Sequence, residues 1–241
     1  MQTRKNAIHA KSVGEIEISF VGEAATITTN RLTFKSFNQF NSHHLAKQLY
    51  GLYGDPENVK MYCEGVPWSR SRVRAYVKKH TAAWNKGGKY APFAVYENQT
   101  GAYIGNMGVY YPVDTYENVG RGHYNVAEIG YIIDRQYWGN GYGSELTTVG
   151  KKYINFLVRR DAANGLNVPT EATASSHPGN GASKRILEKV LKNREEVIFK
   201  KHHGNPRMMF FKPIKIKPFN GAQDVEDLNQ IDLSTPSRST K

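Results

Sequence analysis

The stretch from Trp138 to Gly143 reads Trp-Gly-Asn-Gly-Tyr-Gly, with glycines at alternate positions between a strand-like and a helix-like segment. Alternating glycines let the backbone approach a bulky group and direct several N–H donors to one point. Unpaired N–H groups and the helix dipole together favour an anion at the start of a helix. The pattern therefore indicates a phosphate or pyrophosphate site, or alternatively a tight turn that needs left-handed backbone conformations.

Two familiar phosphate loops do not fit these residues. A Walker loop ends in Gly-Lys-Ser/Thr, and no such lysine follows the glycines here. The dinucleotide fingerprint Gly-x-Gly-x-x-Gly comes early in a βαβ unit and precedes an acidic residue for the ribose. In this chain the spacing is Gly-x-Gly-x-Gly, late in the sequence. The glycines therefore predict neither a P-loop nor a Rossmann site.

The composition gives little support to nucleophilic or metal chemistry. Cys63 is the single cysteine in 241 residues, which excludes an internal disulfide and a multi-cysteine metal site. A lone cysteine beside a helical pattern is typical of a small core residue, with a nucleophile as the alternative. We expect no metal and a reducing, cytoplasmic compartment.

The chain carries a formal net charge of +12, which favours anionic partners such as nucleic acid, the ribosome or a phosphorylated cofactor. Most of the excess lies in residues 184–217, where eleven Lys or Arg stand against three acidic residues. This basic stretch predicts either an anion site or a solvated surface. No apolar run approaches the ~20 residues that span a bilayer, and no secretion signal is recognisable, so no membrane contact is expected.

Hydrophobic periodicity predicts the elements that must position the glycines. They are a strand near 26–37, helices near 45–53, 55–65 and 69–88, strands near 90–98, 102–113 and 126–134, a helix from the glycines to about 157, a strand near 168–176, a helix near 180–191, and strands near 195–201 and 207–213. This order predicts an α/β (α+β mixed-sheet) protein with helices on both faces. Antiparallel hairpins are expected in its first half and a strand–helix crossover after the glycines.

Three segments are expected along the chain. Residues 1–23 are polar without sustained periodicity, which predicts an N-terminal extension. Residues 24–213 are expected to form one folded domain. Residues 214–241 are again polar and aperiodic, which predicts a disordered tail.

Six segments, in order, resemble those of a known enzyme superfamily. Gly141 and Gly143 match the small positions of the loop Arg/Gln-x-x-Gly-x-Gly/Ala, and Trp138 replaces its Arg/Gln. The other segments are TNRLTFKSF, DPENVKMY, AYIGNMGVY, AEIGYIID and HPGNGASKRILEKV. They cover about residues 25–213 and resemble the GCN5-related N-acetyltransferase (GNAT) superfamily. Residues 137–142 read Tyr-Trp-Gly-Asn-Gly-Tyr, which is similar to the same loop in the RimJ/RimL-like branch. In that branch, tryptophan is common at the position of Trp138.

The resemblance implies a GNAT-like acyl-CoA N-acyltransferase fold, whose mostly antiparallel sheet splays between the central strand and the next one. It also implies acetyl-CoA as the acetyl donor, with its pantetheine arm in that gap. The implied cofactor contacts are the backbone of Tyr131, Ile132 and Ile133, the loop residues Trp138, Gly139, Asn140, Gly141, Tyr142, Gly143 and Ser144, and the side chain of Asn180. Asn180 is also suited to cap the helix that follows it.

N-acetyl transfer needs an amine that has lost its proton, a polarised thioester carbonyl and a proton donor for the thiolate. Glu128, on the central strand, is the first candidate for the base, although a surface carboxylate or an ion-pair partner is the alternative. His123 ranks second because its pKa is naturally near neutrality, and His177 ranks third. The resemblance implies Ser183 as the donor to the thiolate, since Leu187 occupies the slot of the tyrosine that many relatives use.

Leu191 and Lys192 stand where the superfamily has Gly-Phe, so a longer preceding helix and a changed last hairpin are expected. We predict an acetyl-CoA-dependent N-acetyltransferase that acts on a primary amine, foremost a protein N-terminus of the ribosomal-protein type. One alternative is an enzyme of the same fold for a small amine such as an antibiotic or polyamine, which the basic composition disfavours. Another is a non-catalytic nucleic-acid or ribosome-binding protein that uses residues 184–217.

Overall fold

A computed structural model describes residues 4–111, 125–194, 199–201 and 204–215 of the chain. The strands in these ranges are β1 (Arg4–Ala10), β2 (Gly14–Val21), β3 (Ala24–Thr28), β4 (Leu32–Ser36), β5 (Pro92–Glu97), β6 (Tyr103–Tyr110), β7 (Val126–Ile133), β8 (Glu171–Ser176), β9 (Asn193–Arg194), β10 (Phe199–Lys201) and β11 (Asn205–Pro213). The helices are α1 (Ser42–Tyr53), α2 (Pro56–Val59), α3 (Arg70–Asn85), α4 (Tyr142–Ala163) and α5 (Gly181–Leu191). His123 and residues 216–241 of the predicted tail lie outside the described residues.

The strands form one open sheet in the order β1-β2-β3-β4-β5-β6-β7-β8-β11-β10, with the short β9 also paired to β11. Strands β1 to β7 pair as successive antiparallel neighbours. Strands β7 and β8 are parallel, and β8 pairs antiparallel with β11. Because a parallel pair needs a crossover, the chain passes from β7 to β8 through α4. The prediction of a mixed, mostly antiparallel sheet is confirmed.

Helices cover both faces of the sheet, as the order of the elements predicted. Met107 and Tyr110 lie three residues apart on β6, so their side chains point to opposite faces. A Cβ placed on Gly150 of α4 would lie 3.4 Å from the sulfur of Met107, whereas the hydroxyl of Tyr110 lies 2.8 Å from that of Tyr76 in α3. Helix α4 therefore packs on one face and α3 on the other.

Strands β7 and β8 separate soon after they begin. Their parallel pairing covers only three positions and ends with Glu128 opposite Thr173. Strand β7 nevertheless continues to Ile133, and β8 continues to Ser176. The two strands thus form the arms of a V that opens toward the start of α4, which is the splaying that the resemblance implied.

The N-terminal residues 4–21 belong to the sheet, which corrects the prediction of an extension over residues 1–23. They form β1 and β2, and β2 pairs with β3. Ile16 and Ile18 are fully buried in the core. The stacked rings of Phe20 and Phe156 join β2 to α4. Burial of these apolar side chains explains why this polar segment folds onto the domain.

Several helix ends differ from the sequence-based expectation, and α2 ends at Val59 rather than near residue 65. Helix α4 continues six residues beyond Leu157, because Val158 and Asp161 remain buried. Helix α5 ends at Leu191, only one residue beyond the LEKV segment, and Lys192 takes a left-handed conformation with φ of 75°. No helix in the described ranges is long and apolar enough to cross a membrane.

Candidate active site

The three glycines of the loop serve different steric purposes. Gly139 and Gly141 have φ of 82° and 77°, in the left-handed region where a side chain is strained. Gly143 lies in the first turn of α4, where a Cβ would stand only 2.8 Å from Cδ1 of Ile186 in α5. The tight-turn interpretation therefore holds for the first two glycines, and the third lets α4 approach α5.

The start of α4 differs from the other described α-helices because no side chain caps it. Side-chain oxygens of Asn41, Asp55, Ser69 and Asn180 cap α1, α2, α3 and α5. The N-cap of α4 is Gly141, which offers no such oxygen. The first N–H groups of a helix have no partner within it, so those of α4 are available to an anion.

A buried carboxylate and an arginine brace the loop from the side. Glu145, only 5% exposed, accepts hydrogen bonds from Nε of Arg31 at 2.8 Å and from Oγ1 of Thr29 at 2.6 Å. Nη1 of Arg31 also donates to the carbonyl of Asn140 at 3.0 Å, and its guanidinium lies over the ring of Tyr142. The sequence analysis did not identify Arg31. Glu145 was the signal that could have indicated it, because an acidic residue next to an anion site needs a cation to compensate its charge.

Trp138 and Asn140 hold the loop to its neighbours. Nε1 of Trp138 donates to the carbonyl of Ile133 at 2.8 Å, although 55% of this residue is exposed. Nδ2 of Asn140 lies 3.2 Å from the carbonyl oxygen of Tyr137 and 3.3 Å from that of Trp138. Both side chains therefore stabilise the turn. The exposed part of the Trp138 indole remains accessible to a ligand.

The backbone of β7 faces two directions in alternation. Asp134 N donates to Ile104 O at 2.9 Å, and hydrogen-bonded pairs recur at every second residue of an antiparallel ladder. The backbone groups of Ile132 therefore face β6, whereas those of Tyr131 and Ile133 face the gap beside β8. Tyr131 and Ile133 thus have backbone groups on the gap side, where the Ile133 carbonyl accepts from Trp138, whereas the backbone of Ile132 belongs to the sheet.

Ser183 lies at the other side of this gap, in the first turn of α5. Its Oγ lies 3.2 Å from the hydroxyl of Tyr131, and its backbone N–H donates to Oδ1 of Asn180 at 3.0 Å. Asn180 thus caps α5, as its alternative interpretation predicted. Leu187 is buried in the core. A tyrosine hydroxyl therefore reaches Ser183 from β7 rather than from α5, a contact that the sequence analysis did not foresee.

Glu128 lies where the V opens. Its side chain is partly exposed, and Oε1 accepts a hydrogen bond from Oγ of Ser175 in β8 at 3.1 Å. Tyr110 is its direct neighbour across the β6–β7 ladder. His177 is committed to a turn, since its Nδ1 accepts from a backbone N–H at 3.0 Å. Among the described candidates, only Glu128 stands at the apex of the cleft.

A constrained segment of the chain lies on the same face as Glu128. Cys63 has φ of 45°, which is strained for a residue with a side chain. Its carbonyl accepts from Nη2 of Arg207 at 2.6 Å and from Nδ2 of Asn205 at 2.7 Å. Arg207 is 4% exposed and also donates to the carbonyl of Met61 at 3.0 Å. Strand β11 therefore anchors residues 61–63, a link between distant segments that no local pattern indicates.

Two titratable side chains on this side of the sheet, Cys63 and His80, are uncharged near pH 7. Burial, with a smaller effect of nearby Glu64, raises the pKa of the Cys63 thiol to about 12, so the nucleophilic thiolate is disfavoured. Burial lowers the pKa of His80 to about 4, so its imidazole is neutral near pH 7. No cluster of three metal-ligating side chains occurs in the described part of the chain.

Comparison with protein families decides the identity of this arrangement. The family described as "Acetyltransferase (GNAT) domain" matches residues 31–190, about two thirds of the chain. The chain belongs to the GNAT acetyltransferases. The predicted superfamily is confirmed, and the protein is an N-acetyltransferase that uses acetyl-CoA.

Similar proteins agree with this GNAT assignment. The uncharacterized protein YkkB of Bacillus subtilis (strain 168) is 30% identical over 146 residues, which are 59% of this chain and 72% of YkkB. A putative ribosomal-protein-serine acetyltransferase of Vibrio cholerae has 19% identity and a TM-score of 0.53 over 78% of this chain and 97% of its own. RimL, a ribosomal L7/L12 alpha-N-protein acetyltransferase solved with coenzyme A, has 15% identity and a TM-score of 0.51 over 77% and 95%. These structures share the fold of the chain.

The geometry around the V fits coenzyme A. The uncapped start of α4 suits a pyrophosphate, since its N–H groups are the donors such a group needs. Gly139 has no atom within 4 Å of the position a Cβ would take, so the backbone there is open to a bulky ligand. The backbone of Tyr131 faces the gap, where an amide-bearing arm could pair with it.

Proposed function

We propose that this GNAT enzyme acetylates protein N-termini, with Glu128 as the base and Ser183 as the proton donor. The observation that carries the proposal is the opening between β7 and β8, which has a carboxylate at its apex and a hydroxyl pair on its other side. Support for this acceptor comes from the fold shared with ribosomal-protein acetyltransferases. A buried cation, Arg207, lies on the same face of the sheet as Glu128, where it disfavours polycationic small amines.

Acetyl-CoA supplies an activated thioester, and the side chains then manage two protons. Glu128 accepts a proton from the acceptor amine, directly or through water, so that the nitrogen lone pair becomes available. The amine nitrogen forms the new bond to the acetyl carbon as the bond from that carbon to sulfur breaks. Ser183 Oγ donates a proton to the departing sulfur. No protein nucleophile is needed, which agrees with the raised pKa of Cys63.

Tyr131 assists Ser183 in this proposal. Burial raises the pKa of the Tyr131 hydroxyl, so it stays protonated and remains a donor. At 3.2 Å it can donate to Ser183 Oγ and replace the proton that Ser183 gives up. Tyr131, on β7, would thereby supply the proton that many relatives obtain from a tyrosine at the position of Leu187. The loop residues Trp138 to Ser144 would hold the pyrophosphate, as the resemblance implied.

The first test is binding of the acetyl donor. Acetyl-CoA at a hundredfold excess over its Kd should stabilise the folded protein by about 2.7 kcal/mol. For a chain of this length that corresponds to a rise in Tm of roughly 5–10 °C in a thermal unfolding scan. No change in Tm at millimolar acetyl-CoA would overturn the cofactor site.

The second test identifies the acceptor. Release of free thiol from acetyl-CoA is followed with peptides that have a free N-terminus, with the same peptides blocked at the N-terminus but carrying a lysine, and with a polyamine. We expect thiol release with the peptides that have a free N-terminus. The rate of thiol release should be at least tenfold lower with the matched peptides that are blocked at the N-terminus. Equal rates for the polyamine would reject the proposed acceptor while leaving acetyl transfer itself established.

A further inference from the structure

A basic groove lies beside the middle and last turns of α4, away from the glycine loop at the start of this helix. It encloses a cavity of about 290 Å³ between α4, the start of β8 and the end of β11. Its polar lining consists of Lys151, Lys152, Asn155, Arg159, Lys212 and Lys215. None of the lining residues that the structure describes is acidic. Five cationic side chains therefore converge on one concave surface without a carboxylate among them.

The groove is separate from the proposed coenzyme site. A helix rises 1.5 Å per residue, so Lys151 lies about 14 Å, and Arg159 about 26 Å, along α4 from its first residue. Two lining residues, Ala172 and Pro213, lie near the start of β8 and the end of β11, beside the first residues of β7. The V opens at the opposite end, toward the last residues of β7 and β8. One coenzyme molecule held at the loop therefore does not fill this groove.

Protein contacts fix two of the lysines while leaving donors for a ligand. Nζ of Lys151 donates to the carbonyl of Val190 at 3.1 Å, and Nζ of Lys152 donates to the carbonyl of His9 at 2.9 Å. An ammonium group has three donors, so each lysine retains further N–H groups. Neither of these contacts neutralises charge, because both acceptors are backbone carbonyls.

Like charges strain this cluster electrostatically. Burial lowers the pKa of Lys151, and the neighbouring Lys212, Lys152 and Lys192 lower it further. Asp161, two residues after Arg159, is held by Arg160, whose Nη2 lies 2.6 Å from Oδ1. A bound polyanion would relieve the repulsion that remains.

We propose that this groove binds the phosphodiester backbone of a structured nucleic acid. Lysine and arginine bind phosphate through charge and hydrogen bonds. The lining contains no aromatic side chain on which a base could stack, so recognition would follow the backbone rather than the base sequence. RNA and DNA share this chemistry. An N-terminal acetyltransferase with such a groove could act while docked on a nucleic-acid surface; that role rests on the proposed function, but the groove itself does not.

The test is binding of the full-length protein to labelled 20-base-pair RNA and DNA duplexes, measured by fluorescence anisotropy over a range of salt concentrations. Between three and five phosphate contacts predict a slope of log K against log salt between about −3 and −4.5. The stronger of the two duplexes identifies the source of the backbone. Poly-glutamate serves as a polyanion without phosphate. If it competes as well as the duplexes, the phosphodiester assignment is overturned.

A matched pair of variants localises the binding. The groove variant combines Arg159→Glu, Lys212→Glu and Lys215→Glu, and the control combines Lys47→Glu, Arg74→Glu and Lys78→Glu, exposed positions on α1 and α3. Both change the net charge equally. We expect the groove variant to lose at least tenfold in affinity and the control less than threefold. Equal losses would show diffuse attraction and overturn the site.

Stability and activity measurements separate this proposal from the proposed function. The groove variant should keep the Tm of the unmodified protein and its rise with acetyl-CoA. If the triple change prevents folding, Lys212→Gln with Lys215→Gln replaces it, with an expected loss of at least threefold in duplex affinity against Lys47→Gln with Lys78→Gln. Acetyl transfer without duplex binding rejects the groove alone.

Discussion

Glu128 and Ser183 stand at different parts of the same opening, and their neighbours suit the two different proton transfers. Glu128 accepts a hydrogen bond from Ser175, which fixes one oxygen of the carboxylate. Ser183 is paired with a tyrosine hydroxyl whose raised pKa keeps it protonated. The carboxylate proposed as the base and the hydroxyl proposed as the proton donor thus occupy separate positions, as direct acyl transfer requires.

The Glu128→Gln substitution tests the base. Glutamine keeps the shape and can still accept from Ser175, but it cannot take a proton from an ammonium. We expect kcat for acetyl transfer to fall at least a hundredfold. The Kd for acetyl-CoA should stay within twofold, because Glu128 lies outside the loop. Steady-state kinetics and a thermal shift titration measure the two quantities.

A matched control and a contrary outcome accompany this test. Glu57→Gln alters an exposed carboxylate on α2 that lies 3.8 Å from Nζ of Lys60, and it should leave kcat unchanged. An unchanged kcat in Glu128→Gln would exclude Glu128 as the base. His123 would then be the first candidate for that role.

Single-residue predictions from the sequence were sound where residue type alone restricts conformation or charge. Gly139 and Gly141 take positive φ, which follows from the freedom of glycine. The Tyr131–Ser183 contact joins residues 52 positions apart, and the Arg207–Cys63 contact joins residues 144 positions apart. No local pattern records such pairs. They depend on how the strands are ordered, which the chain reveals only once it is folded.

At the scale of elements, the loop and α4 act as one unit because Arg31 joins them. Its side chain neutralises Glu145 in the first turn of α4 and also binds the Asn140 carbonyl in the loop. Periodicity predicted a strand near β4 and a helix near α4, but it did not predict this contact, since Arg31 and α4 are distant in sequence. Without Arg31, the Glu145 carboxylate would oppose an anion at the same helix end.

The Arg31→Gln substitution tests this brace. It leaves the buried Glu145 carboxylate without its cation beside the proposed pyrophosphate position, so repulsion should raise the Kd for acetyl-CoA about tenfold, or 1.4 kcal/mol. The double variant Arg31→Gln, Glu145→Gln removes both charges and should recover most of that loss. Isothermal titration measures both. A double variant as weak as the single one would show that Arg31 acts through loop shape rather than charge.

At the scale of the whole molecule, the N-terminal hairpin is the part that the sequence analysis misplaced. The family match begins at residue 31, so β1 to β3 precede the matched region. Their apolar residues are few and lie on one face, as at Ile16 and Ile18, and this short alternation was hidden by polar residues on the other face. The hairpin is stable because α4 covers that face and β3 pairs with the edge of β2, which is information from outside the segment.

Phe20 joins this hairpin to the rest of the molecule, because its ring stacks on Phe156 of α4 with centroids 6.1 Å apart. The Phe20→Ala substitution removes this partly buried ring and should lower the free energy of unfolding by about 2 kcal/mol, below the loss for a fully buried phenylalanine. Tm should then fall by roughly 4–8 °C. Val21→Ala on the same strand alters an exposed side chain, so its effect should stay within about 0.5 kcal/mol. If both variants unfold at the temperature of the unmodified protein, the hairpin does not contribute to the stability of the domain through Phe20.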